Sequence, residues 1–181
     1  MRIPEWTPEA LPQPPALLQT ILARRGGALL NLDKALLWSG PVTEGWHDFF
    51  KHVRGDLSVS RQLSELGICT VALLTGADYE YHHHAPEFLK GGGTQAQLDA
   101  LQLAVQQHPA QGVTQAGLGP LEQRVVQYAA QMTLNIQVDE ALFASLQAQL
   151  SPTQMVELTT VIAAYNMVAR ILLALHIRPE N

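Results

Sequence analysis

Cysteine is almost missing from this sequence: among 181 residues there is one, Cys69. A single thiol excludes an internal disulfide, a CxxC redox pair and a multi-cysteine zinc site within the chain, and it fits a reducing compartment. Charge is scarce as well. Only 15% of the residues are Asp, Glu, Lys or Arg, and 11 basic against 16 acidic side chains leave a formal net charge of −5. Apart from the pair Arg24-Arg25 the basic residues are scattered, so there is no footprint for a phosphate backbone and a nucleic-acid partner is not expected. No apolar run approaches the roughly 20 residues of a spanning helix, which predicts no membrane insertion. Residues Met1 to Trp6 lack the apolar core and small-residue cleavage site of a secretory signal, so the expected location is the cytoplasm.

What the chain does have is apolar content, 47% of its residues, enough for one sizeable core. Pro4, Pro8, Pro12, Pro14 and Pro15 remove backbone donors and predict an extended arm over residues 1–15, followed by one helical domain over 16–181. Helical spacing then recurs throughout. A first helix covers Ala16 to Arg25. Two more span Leu29 to Val53 around Ser39-Gly40-Pro41, with Trp46, Phe49, Phe50 and Val53 on the inner stripe of the second. After a turn at Gly55-Asp56, Ser58 or Ser60 caps a helix to about Leu74 that is apolar on more than one side. The segment Asp78 to Lys90 is closed by Gly91-Gly92-Gly93. Thr94 caps a helix with Leu98, Leu101, Leu103 and Val105 inward, running to His108-Pro109. Further helices start at Leu121, at Asp139 and at Ser151-Pro152, the last with Met155, Leu158, Ile162, Tyr165, Val168, Ala169 and Leu172 on its apolar face and an end near Pro179. Nothing alternates with period two, so the expected fold is all-α, a bundle of about seven to nine helices.

The densest chemistry lies in Tyr79-Glu80-Tyr81-His82-His83-His84. On a helix Glu80 shares a face with His83 and with His84. A carboxylate beside an imidazole orients one tautomer and raises its basicity, and such a pair can divide the roles of general acid and base, a contribution of roughly 10² to 10⁴ in rate. Three adjacent histidines point in three directions, so at least one faces solvent. Glu80-x-x-His83 is also half of the pattern of di-iron bundles, but the other acids on core-like helices, Glu65 and Glu157, have no histidine three residues on, and no metal site is expected. Glu65 stands on an otherwise apolar helix and needs a partner, either a structural histidine or arginine or the histidine cluster itself. Cys69, one turn later, reads as an inert core thiol. Asn166 and Arg170 lie one turn apart in the last helix; Arg170 either clamps a substrate carboxylate, forms a salt bridge to a residue such as Glu65 or Glu157, or makes an intersubunit contact. Trp38, Trp46 and Phe50 read as core or interface rather than as a ligand cage.

The run from Glu65 through Gly76-Ala77-Asp78-Tyr79-Glu80-Tyr81-His82-His83-His84 resembles the signature of the alkylhydroperoxidase AhpD-like, carboxymuconolactone decarboxylase superfamily. Tyr165-Asn166-Met167-Val168-Ala169-Arg170 resembles the closing helix of its longer members, and the resemblance covers about Leu29 to Pro179. It implies an AhpD-like helical bundle. In the hydroperoxidase branch a glutamate, a CxxC dithiol and a histidine form a proton relay. Carried over, the glutamate is Glu65, the cysteines fall on Ala77 and Glu80, and the histidine is His84. Both cysteines are replaced, so the dithiol peroxidase mechanism cannot operate. The resemblance that remains is to the decarboxylase and lactonase-like branch. It implies cofactor-free proton transfer on a small organic acid or lactone by Glu80 and His84, assisted by Glu65, His83 and Tyr79. Asn166 and Arg170 would contact substrate, and self-association into a dimer, trimer or hexamer is implied. Two other readings stand beside it: a non-catalytic small-molecule-binding oligomer, and an antioxidant protein using Cys69 across a subunit interface.

Overall fold

The computed structural model describes residues 1–55, 57–107, 110 and 116–180. Nine helices and no strand occur among the described residues. They fall into two compact units, residues 1–56 with 171–181, and residues 57–170. The expected turn at Asp56, the helix end at His108-Pro109 and part of the loop before Gly119 lie outside the described residues.

The first unit holds α1 (Pro15–Arg25), α2 (Asn31–Leu36) and α3 (Gly40–Val53). Residues 1–14 carry no helix and are tied down by side chains: Trp6 Nε1 donates to the Leu11 carbonyl at 2.9 Å, Trp38 Nε1 to that of Pro4 at 2.9 Å, and Gln13 Nε2 to that of Leu37 at 2.8 Å. Trp6 packs in a small core with Ile21 and Leu37. α3 buries Thr43, Trp46, His47, Phe50 and Val53. Phe49, expected on that stripe, is exposed, because the stripe i, i+3, i+4, i+7 that starts at Thr43 selects His47 instead.

The second unit is built on α4 (Arg61–Thr75), α5 (Asp78–Lys90), α6 (Gln95–Val105), α7 (Pro120–Leu134), α8 (Glu140–Gln147) and most of α9 (Pro152–Leu175). Ser60 caps α4 by accepting from the Leu63 N–H, and Thr94 with Gln97 closes a capping box on α6. α4 is its central element, buried from Leu66 through Ala72 and packed on α5, α6 and α7. α6 turns Leu98, Ala100, Leu101 and Ala104 inward, while Leu103, expected there, is exposed. All seven apolar residues foreseen on the last helix are buried. That helix ends at Leu175, four residues before Pro179, where His176 takes a left-handed conformation.

α9 corrects one expectation. With 24 residues it is long and apolar enough, by length and composition, to cross a membrane. Its polar residues, such as Asn166 and Arg170, break up the continuous run without lowering the average enough. Half of its most apolar window is buried inside the fold, and a core helix passes the same test.

Candidate acid–base site

α4 and α5 form an antiparallel hairpin joined by Gly76 and Ala77. Gly76 ends α4 with φ +70°, a left-handed conformation that glycine adopts without strain, and its N–H returns to the Ala72 carbonyl. This tight reversal fixes the register of the two helices, and the register places side chains in rungs. On the outer rung Arg61 pairs with Glu87. One turn deeper, the Glu65 carboxylate meets the His84 imidazole, Oε2 to Nδ1, at 2.7 Å. A further turn, from 65 to 69 on α4 and from 84 to 80 on α5, brings Cys69 opposite Glu80.

Burial grows along the rungs. The side chains of Arg61 and Glu87 are 55% and 30% exposed, those of Glu65 and His84 12% and 13%. Cys69 and Glu80 are 0% and 1% exposed. The middle rung is therefore shielded enough to strengthen its electrostatics yet still touches solvent. Tyr165 of α9 holds the His84 ring edge-on, with centroids 4.6 Å apart. Tyr79 packs on His83 at 4.5 Å, and His82 points outward. Pro86 sits inside α5 and cannot bond back to the His82 carbonyl, an omission that falls on the solvent side because both residues are exposed.

The charges follow the same geometry. Lys90, bonded to Glu87 at 2.7 Å, holds that carboxyl below the usual carboxylate range, with Arg61 and His84 adding to the effect. Burial pushes the Cys69 thiol up, and the negative charges of Glu65 and Glu80 push it further. A thiolate is thus disfavoured, the opposite of what a reactive cysteine requires.

The structure brings Glu65 and His84 together, with Glu80 one turn deeper on the same hairpin, and sets Tyr79 against His83. Asn166 and Arg170 go elsewhere. Arg170 Nη1 donates to the Asn166 carbonyl at 2.7 Å and to its Oδ1 at 2.9 Å, while Asn166 Nδ2 reaches Thr133 of α7 at 3.0 Å. The salt bridge considered between Arg170 and Glu65 or Glu157 is not the arrangement found: Glu65 is engaged by His84, and Glu157 accepts from Ser58 Oγ and the Val59 N–H. Among the described residues no three His, Cys, Asp or Glu side chains gather as a metal site. Two contributors escaped the sequence reading. Tyr165 was assigned to the core by its spacing, and the Arg61–Glu87 pair becomes visible only once the hairpin register is known.

No protein-family model and no curated protein matches this chain. Solved structures do. An uncharacterized peroxidase-related protein from Silicibacter sp. TM1040 superposes with a TM-score of 0.77 at 17% identity, covering 93% of this chain and 87% of that one. A second, from Ralstonia eutropha JMP134 and described as an alkylhydroperoxidase AhpD core, gives a TM-score of 0.80 at 15% identity, covering 99% and 92%. The chain has the helical fold of the alkylhydroperoxidase AhpD core.

Proposed function

We propose that this chain is a cofactor-free acid–base catalyst of the carboxymuconolactone decarboxylase-like type, moving a proton on a small organic acid or lactone. The observation that supports it is the 2.7 Å contact between Glu65 and His84. An ionised carboxylate only accepts, so the imidazole proton sits on Nδ1 and the Nε2 lone pair is left as the base. In the step assigned to it, Nε2 takes a proton from the carbon next to a carbonyl, and the C–H electron pair moves toward the carbonyl oxygen. Return of the proton to a different carbon completes an isomerisation. Where carbon dioxide leaves instead, its bonding pair takes the place of the C–H pair, and His84, having first taken a proton at Nε2 from solvent water, delivers it to the resulting carbanion. Glu65 stabilises the imidazolium that forms, Tyr165 holds the ring, and Glu80 closes the deep end of the site with Tyr79 and His83 alongside. The chain's single, buried thiol gives no support to a peroxidase reading.

We also place the protein in the cytoplasm as a self-associated form, which would cover exposed apolar side chains such as Leu134, Ile136 and Met167. The test of function is a screen of lactones and small carboxylic acids in deuterium oxide, read by NMR for deuterium entering carbon positions. His84→Gln should lower exchange of any active compound by roughly 10² to 10⁴, and Glu65→Gln by less. Exchange unaffected by His84→Gln refutes the assignment. A compound that binds at the dyad without exchange or turnover makes the protein a binder.

A further inference from the structure

The outer rung of the α4–α5 hairpin joins two cations to one carboxylate. Lys90 Nζ bonds Glu87 Oε1 at 2.7 Å, and Arg61 Nη2 pairs with Oε2 of the same carboxylate. One positive charge is left over among the three. The Arg61 and Glu87 side chains are both open to water, so their bond is a screened surface pair that exchanges readily. When Arg61 lets go, Glu87 keeps Lys90 on its other oxygen. The stem of Arg61 is meanwhile held in place. It crosses the C-terminal end of α5 at a residue without a side chain: a Cβ on Gly91 would lie 3.2 Å from Arg61 Cγ. Arg61 therefore stays four residues, about 6 Å along α4, from the level at which Glu65 meets His84. The two levels feel each other, because the charge of His84 acts on the Glu87 carboxyl.

We infer that Arg61 is a substrate-binding residue of this site, exchanging Glu87 for a carboxylate that the substrate carries a few bonds from its reacting carbon, so that keto acids and lactone acids are taken in preference to uncharged carbonyl compounds; this rests on the acid–base reading above and narrows it. The planar guanidinium meets a carboxylate through two parallel N–H···O bonds, which fix the direction of the bound molecule as well as its place. With its carboxylate at the outer rung, the carbonyl end runs down the hairpin to the middle rung, where Glu65 and His84 still touch solvent. Glu87 is the resident competitor, occupying Arg61 until substrate arrives. The exchange strands no charge, since Lys90 remains with Glu87 and the substrate carboxylate replaces Glu87 at Arg61. For a compound that loses carbon dioxide, the carboxylate at Arg61 is a second one, retained through the reaction.

The experiment compares levulinate, a keto acid, with its uncharged ethyl ester. Each is titrated into the full-length protein carrying ¹⁵N-labelled histidine, following the imidazole signals of His84, which are assigned by their loss in His84→Gln. The quantity read is the affinity for levulinate relative to the ester. Arg61→Gln should lower this ratio by about three- to tenfold, and Arg61→Lys, which keeps the charge and loses the two-pronged fork, by less. Glu87→Gln removes the competitor and should raise the ratio. The opposite signs separate exchange from a merely structural ion pair, whose loss would act alike from either side. A ratio unchanged in Arg61→Gln, or one that does not rise in Glu87→Gln, overturns the inference and leaves the acid–base reading standing. If neither compound moves His84 in the unmodified protein, the acid–base reading falls, and this inference with it. The signals of the other histidines report whether each variant is folded, and Arg61→Lys replaces Arg61→Gln if the latter is not.

Discussion

His47 should make the first unit sensitive to mild acid, and the size of the effect can be worked out. The side chain is 8% exposed on the inner face of α3, and among the described residues neither ring nitrogen has a hydrogen-bond partner. Its Nε2 lies 3.8 Å from Asp33 Oδ1. Burial, and then the positive charge of Arg24, push its pKa down from 6.5 to about 4, with Arg25 and Arg54 acting in the same direction and Asp33 against them. The unfolded chain therefore binds this proton at a pH where the folded chain still refuses it. The contribution is fully present above about pH 6.5 and is lost as the pH falls toward 4. A shift of that size corresponds to about 3 kcal/mol in all, of which about 2 kcal/mol disappears between pH 7 and pH 5.

Replacing His47 with Phe isolates this effect. The ring nitrogens give up no hydrogen bonds, and Trp46 and Phe50 already provide aromatic surroundings, with their ring centroids 4.4 Å apart. All three tryptophans, Trp6, Trp38 and Trp46, belong to the first unit, so urea unfolding followed by tryptophan fluorescence reports on it directly. Between pH 7 and pH 5 the wild-type protein should lose about 2 kcal/mol more than His47→Phe, or about 4–8 °C in melting temperature. Equal slopes for the two proteins refute the reasoning.

Two further substitutions test the packing. Asp33 is fully buried and accepts from Arg25 Nε at 2.9 Å, Arg25 Nη2 at 3.1 Å and the Leu30 N–H at 3.1 Å. Asp33→Ala strands a largely buried guanidinium and should cost about 3–5 kcal/mol in the same urea experiment, and a loss below about 1 kcal/mol would show that water replaces the carboxylate freely. At Gly67, a Cβ would lie 3.1 Å from Ile162 Cγ1 and 3.9 Å from Leu158 Cδ1, so α4 and α9 meet there without room for a branched side chain. Gly67→Val should lower stability by about 1–3 kcal/mol despite the better helix propensity of valine, and a stabilised variant would mean that the contact relaxes.

How far the sequence could be read depended on the range of the signal. The buried face of α9 was legible because seven apolar residues repeat at helical spacing with no competing stripe. The same logic misplaced Phe49 and Leu103, where periodicity does not say which neighbour a helix will meet. The need of Glu65 for a partner was legible from the cost of burying a carboxylate. That the partner is His84, with Arg61–Glu87 above it, depends on a register set by two residues, Gly76 and Ala77. The Asp33, Arg25 and His47 cluster left no local trace, since residues ordinary for a surface are gathered from three separate helices.

The gradient along the hairpin is what singles out the middle rung for the proposed chemistry. At the outer rung water screens Arg61 and Glu87, and an exposed ion pair contributes little to stability or to moving a proton. At the inner rung Cys69 and Glu80 are closed to solvent, so a substrate could reach them only if the helices parted. Only at Glu65 and His84 do access and shielding coincide: a small molecule can approach, and the carboxylate still acts on the imidazole through little water. Ala77 and Glu80, the positions where the sequence resemblance would put the dithiol of the hydroperoxidases, are both 1% exposed. With alanine and glutamate there the hairpin carries no dithiol, and the proposed proton transfer rests on the Glu65–His84 contact of the middle rung.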